Sequence, residues 1–309
     1  MDQHRRYPRL CFLLISALTL AGVILRTVCM LCFFDADVGY FQRGVLPTLG
    51  NALYFAAVGV AIVCMALTPK NILPDETSSA ASSDQKPESE TEEEPTEAPV
   101  TRIILPTELH TPGRVYAALL MGLALGCFTV ATLLGAGPIT GVSGKVSQAA
   151  NLLGLIASFY FFCSAHKNGR YPDWLSFLGY LPVIWAITAV ADTYFDVYVT
   201  MNSPVKLSVQ MGLLGFMLIM LAELRFRVGK ALPRYAVAFL SVGSFTCLTG
   251  SVPLLISFAG SYLNGASARL IFPARYALYA AVLLAAGVYG AYLLFRYITA
   301  PANPPHNAE

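Results

Sequence analysis

Residues 276–298 read YALYAAVLLAAGVYGAYLLFRYI, and the only charge among them is Arg296, close to the end. A helix of that length rises about 34 Å at 1.5 Å per residue. The hydrocarbon core of a bilayer is about 30 Å thick and needs roughly 20 apolar residues. The same signature recurs near residues 10–34, 46–67, 115–135, 146–165, 175–195, 206–224 and 235–259. None of these runs alternates polar with apolar residues, so they read as helices rather than barrel strands. The fold class expected is an all-α integral membrane bundle of eight transmembrane helices.

Composition agrees. The 309-residue chain is 56% hydrophobic and 12% charged, whereas a soluble domain carries about 25% charged residues. Half of the 18 acids lie between Asp75 and Glu97. They belong to a polar segment, 68–113, rich in Pro, Ser, Thr and Glu. Such a segment cannot bury enough surface to offset its ordering entropy and is expected to be disordered. The chain then divides into 1–67 (N-terminal segment and spans 1–2), the acidic loop 68–113, 114–174 (spans 3–4), 175–298 (spans 5–8) and a Pro-rich tail, 299–309. The net charge of +2 is a cancellation between a basic membrane body and an acidic loop. It gives no indication of nucleic acid. The first run is too long for a signal-peptide core, contains Arg26 and ends in Phe33-Phe34-Asp35 with no small-residue cleavage site, so it reads as a retained span.

Lys and Arg concentrate in cytoplasmic loops. With the N-terminus inside, the inside segments hold fourteen of them and the outside segments five (Arg43, Lys145, Lys206, Arg269, Arg275). Both termini and the acidic loop are therefore expected in the cytoplasm, with the chain in the plasma membrane. The bilayer is its first partner, and the acidic loop is a candidate contact for a basic cytoplasmic protein.

The seven cysteines all fall in or beside spans, where they read as small packing residues. Cys29-x-x-Cys32 resembles the pairs of helical membrane thiol oxidoreductases, but the second pair those enzymes need in an external loop is missing. His4, His110, His166 and His306 lie at interfaces or in tails. No nucleophile–base set, metalloprotease motif or Walker loop is present. No catalytic residue, metal or cofactor is therefore assigned.

Internal similarity suggests two parallel four-helix halves. Phe34-Asp35 closes span 1 as Phe195-Asp196 closes span 5. Gly126-Cys127-Phe128-Thr129 in span 3 matches Gly243-Ser244-Phe245-Thr246 in span 7. Gly122-x-x-x-Gly126 and Ala150-x-x-x-Gly154 read as close-packing stripes. Pro182 and Pro253 are expected to disturb spans 5 and 7.

Polar residues within lipid are costly and point to function. Placed by rise along each span, Arg26, Asp35, Asp37, Asn51, Asp192 and Asp196 gather toward the external leaflet. They are the candidate ligand-binding residues. Arg26 is about 13 Å by rise from Asp35, too far to reach it within one helix, and Asp192 is its expected partner. In the inner half, Glu223 is expected to pair with Arg227 at i,i+4.

The stretch Leu25-Arg26-Thr27 with Phe34-Asp35-Ala36-Asp37-Val38-Gly39-Tyr40-Phe41, and later Met201-Asn202-Ser203-Pro204, resembles uncharacterised multi-pass membrane proteins of bacteria. The resemblance implies a bacterial plasma membrane and brings no activity with it. Two functional classes follow from the residues themselves. One is a transporter or small-molecule or ion-binding protein with an outward-facing polar pocket. The other is a non-catalytic sensor or accessory subunit that uses the acidic loop as its contact. An integral membrane enzyme ranks below both.

Overall fold

In the computed structural model, the described residues are 3–35, 38–67, 112–135, 141–165, 177–227, 233–263 and 273–299. The acidic-loop expectation, like Asp37, lies outside them. They form eight helices: α1 (Gln3–Cys32), α2 (Val45–Leu67), α3 (Pro112–Leu134), α4 (Gly141–Ser164), α5 (Tyr180–Phe195), α6 (Pro204–Arg227), α7 (Pro233–Leu263) and α8 (Ala274–Thr299). Seven are long and apolar enough to cross a membrane; α5 is shorter. Its shortness has a local cause. Pro182 has no N–H to offer the carbonyl of residue 178, and the regular helix starts only after Gly179. Pro253 does not end α7, which runs through it.

A short hairpin was not foreseen. β1 (Phe34–Asp35) pairs antiparallel with β2 (Tyr40–Phe41), Phe34 opposite Phe41 and Asp35 opposite Tyr40. Gly39 closes the turn at φ +77°, a conformation that suits glycine. The hairpin joins α1 to α2 and marks one end of the bundle, called here the hairpin end.

Helices α3, α4, α5, α6 and α8 close a ring, each packed on the next and α8 back on α3. Helix α7 packs outside it on α6 and α8, and α1 and α2 pack on α7. In lipid the hydrophobic effect does not drive helices together, so close backbone approach and interlocking side chains must. Glycines supply the approach. A Cβ on Gly243 would lie 2.6 Å from Gly215 O, and one on Gly215 would lie 2.9 Å from Gly243 O, so α6 and α7 touch backbone to backbone. The α3–α4 stripe behaves as expected: a Cβ on Gly122 would press on Phe161 and Phe162, and one on Gly154 on Thr129.

The four-plus-four arrangement is not seen in the packing. Equivalent halves require α2 to meet α3 as α6 meets α7. The extensive α6–α7 contact has no such counterpart among the described residues; α2 lies on α1 and α7. The matched Gly-x-Phe-Thr segments explain the similarity another way. Thr129 and Thr246 each return a hydrogen bond to the carbonyl four residues earlier, at 3.0 and 2.9 Å. Each then abuts a glycine of a neighbour, Gly154 of α4 in one case and Gly215 of α6 in the other. The two segments share a packing device and differ in partner.

Candidate functional site

The interior of the five-helix ring is aromatic. Phe128, Tyr160, Phe161, Trp185, Phe216, Tyr279 and Tyr289 are all fully buried. They form a continuous column. Tyr279 meets Phe128 at 4.6 Å between ring centroids, and Phe128 meets Trp185 at 6.0 Å. Trp185 meets Phe216 at 5.6 Å, Phe216 meets Phe161 at 6.4 Å, and Phe161 meets Tyr160 at 5.2 Å. Several of these contacts are edge-to-face, the geometry that brings a ring's positive edge onto its neighbour's negative face.

Each end of the column finishes on a carboxylate. At the hairpin end, in the last turn of α5, Asp192 is 2% exposed. Its Oδ2 accepts a hydrogen bond from Tyr279 Oη at 2.7 Å and lies 2.6 Å from Nη2 of Arg275, in the first turn of α8. The guanidinium contact is an ion pair by distance, but its N–H bonds are not aligned on the oxygen. Asp192 Oδ1 is buried with no hydrogen-bond partner. Arg275 keeps 28% of its side chain exposed and so stands at the mouth of the site. Next to it, Asp196 accepts from Tyr276 Oη at 2.9 Å and from the backbone N–H of Tyr198 at 2.9 Å. Its backbone carbonyl takes the ammonium of buried Lys206 at 2.9 Å.

At the opposite end, Glu223 Oε1 lies 3.4 Å from Arg114 Nη2 and 3.3 Å from Tyr160 Oη. The expected Glu223–Arg227 pair falls outside the described residues. Arg114, in the first turn of α3, is a partner that sequence reasoning did not name. The Lys206–Ser208 region and Glu223 sit about 22 Å apart along α6 by rise. One helix therefore contributes to both ends.

The expected Arg26–Asp192 pair is corrected. Arg26 Nη2 donates to Ser208 Oγ at 2.6 Å and approaches Pro204 O at 3.4 Å, and its guanidinium lies over the ring of Tyr54 at 5.0 Å. Arg275 takes the place foreseen for Arg26. A span's position along the membrane normal can be counted from its residues. Which neighbour it faces depends on how the bundle packs.

Of the six candidates, Asp192 and Asp196 share one cluster. Arg26 belongs to a second, at the junction of α1, α2, α6 and α7. Asp35 is half-buried in the hairpin, where its Oδ1 receives the Val38 N–H at 3.3 Å. Asn51 is exposed on α2. The residues that sequence reasoning passed over are Arg275, Tyr276, Tyr279, Lys206 and Arg114. Arg275 and Lys206 enter the sequence reading only as outside charges that set the orientation. The available signal was Arg275-Tyr276-x-x-Tyr279, a cation and two phenols on adjacent turns at the head of a span.

A cleft of about 300 Å³ lies away from both clusters, between α1, α7 and α8. Its lining is apolar apart from Ser16, Thr19 and Ser244. Among the described residues no three His, Cys, Asp or Glu side chains come together as a metal site. No protein-family model, curated protein or solved structure matches this chain.

Proposed function

We propose that the protein is a plasma-membrane carrier for a small cationic or zwitterionic solute, which it takes up at the hairpin end. In this reading all eight helices span the bilayer, α5 included. The hairpin end faces outward and both termini face the cytoplasm, in keeping with the bias of Lys and Arg. The observation that carries the proposal is that one five-helix ring is closed at each end by an arginine paired with a buried carboxylate. Such pairs are poor stabilisers, because desolvating two charges offsets most of their attraction. Their presence at both mouths fits a pair of gates. At the outer gate, Arg275 is half-held and Asp192 keeps one oxygen free. An incoming amine can engage Oδ1 and displace Arg275 toward water, leaving the carboxylate compensated throughout.

The experiment is a thermal-shift screen of purified protein against amines, amino acids and inorganic cations, run in parallel on Asp192→Asn. A solute that stabilises the wild type and not the variant supports the reading. A screen in which every stabilising solute works equally well on Asp192→Asn removes it.

A second reading has an observation of its own. The aromatic column is fully packed from one carboxylate to the other, and packed interiors resist deformation. That favours a receptor or accessory subunit, in which solute binding at Asp192 shifts the helices without a path opening.

A further inference from the structure

We infer that Arg26 is the anchor of a second site, one that binds a phosphate group at the hairpin end, at the junction of α1, α2, α6 and α7. Arg26 is 8% exposed. An arginine that snorkels to the interface keeps its head in water; this one turns inward, onto the start of α6. A guanidinium carries five N–H donors. Its contacts to Ser208 Oγ at 2.6 Å and Pro204 O at 3.4 Å both come from Nη2. The two donors on Nη1 and the one on Nε have no hydrogen-bond partner among the described residues.

Nor does any described carboxylate lie within ion-pair distance of Arg26. Its surroundings add positive rather than negative potential. Helix α6 begins at Pro204, so the guanidinium sits beside the positive end of a helix dipole. Lys206, two residues on and also buried, is met by a backbone carbonyl and not by a carboxylate. A buried cation in lipid is costly unless it is matched.

The site is also built to hold its arginine still. Tyr54 covers one face of the guanidinium, and the Tyr54 and Thr249 hydroxyls are 3.1 Å apart. Ser208 Oγ accepts from Arg26 while donating to Pro204 O. A Cβ on Gly22 would lie 2.9 Å from Thr249 Cγ2, so α1 and α7 are closely apposed just below. The result is a fixed fork with donors to spare. It lies six residues from the end of α1, about 9 Å by rise, and phosphate is the anionic group that bilayer headgroups supply. The same chemistry can come from a lipid headgroup or from dissolved phosphate.

Full-length protein in neutral detergent is titrated with phosphatidylglycerol, with diacylglycerol as the phosphate-free control, and with inorganic phosphate. The unfolding midpoint and the retained lipid mass are read for wild type, Arg26→Gln, Arg26→Lys and the control Gly59→Ala. A midpoint rise with phosphatidylglycerol but not diacylglycerol identifies a lipid headgroup. A rise with inorganic phosphate alone identifies a soluble anion. In either case Arg26→Gln should weaken the response about tenfold or more, the scale of a lost charge-assisted bond. Gly59→Ala, whose added Cβ meets nothing within 4 Å, should leave it intact. If Arg26→Gln does not fold, Arg26→Lys serves instead, with about tenfold weakening expected from the loss of the planar fork. No response to either phosphate source, or an unchanged response in the folded Arg26 variant, overturns the inference.

Discussion

Removing Arg275 should cost more than removing the charge it compensates. Arg275→Met leaves Asp192, 2% exposed, as a buried carboxylate without its cation. One-sided breakage of a buried pair costs about 3–5 kcal/mol. Asp192→Asn is gentler for two structural reasons. The amide oxygen still accepts from Tyr279, which sits 2.7 Å away. The orphaned Arg275, already 28% exposed, can swing into water. That leaves the weakening of one charge-assisted hydrogen bond, about 1–2 kcal/mol. The double variant Asp192→Asn/Arg275→Met should recover part of the Arg275→Met loss, with a coupling of about 2–3 kcal/mol. Trp185 lies in the adjacent column, so tryptophan fluorescence during reversible unfolding in mixed micelles reports on the region directly. Strictly additive losses, or an Asp192→Asn cost equal to that of Arg275→Met, would refute the pairing and the burial asymmetry behind it.

Three further outcomes are expected. Gly243→Ala, whose Cβ would meet Gly215 O at 2.6 Å, should destabilise the α6–α7 contact by about 1–3 kcal/mol; Gly59→Ala, with nothing within 4 Å, should not, by the same unfolding assay. At the opposite end, Tyr160→Phe removes one long hydrogen bond to Glu223 and should cost about 1 kcal/mol, while Arg114→Met should cost about 3–5 kcal/mol; a chemical-unfolding series separates the two. In intact cells, a chain retaining only Cys32, which is exposed beside the hairpin, should react with a membrane-impermeant maleimide, whereas one retaining only buried Cys247 should not. Labelling of Cys32 only in inverted vesicles would reverse the proposed orientation.

The helices were legible because their signal is local: an apolar run of sufficient length needs no knowledge of its neighbours. Where local chemistry intervened, the boundaries moved. Pro182 shortened α5, and Gly39 allowed a hairpin whose two-residue strands are too brief to show a pattern. The polar bias toward one end was partly legible, since Asp192 and Asp196 do share a cluster. Their cations were not, because pairing depends on the direction each helix face takes. Arg275 and Arg26 both occupy the hairpin-end half, and only the packing of α8 on α6 and of α1 on α7 assigns Asp192 to the first. Glu223 shows the same limit: an i,i+4 neighbour was visible in the sequence, whereas Arg114, more than a hundred residues away, was not. The two segments that carried the resemblance prove to be neighbours in space. Tyr40 Oη donates to Met201 O at 2.5 Å, and Arg26 approaches Pro204 O. The hairpin and the α5–α6 connection thus form one surface over the start of α6.

The most direct test of the carrier reading is uptake into proteoliposomes of a solute identified by thermal shift. Wild type, Asp192→Asn and Glu223→Gln are compared under the same gradient. Accumulation by the wild type, abolished in Asp192→Asn and strongly slowed in Glu223→Gln while both variants stay folded, is the expected result. Tight, Asp192-dependent binding with no uptake above protein-free liposomes would contradict it and leave the receptor reading in its place.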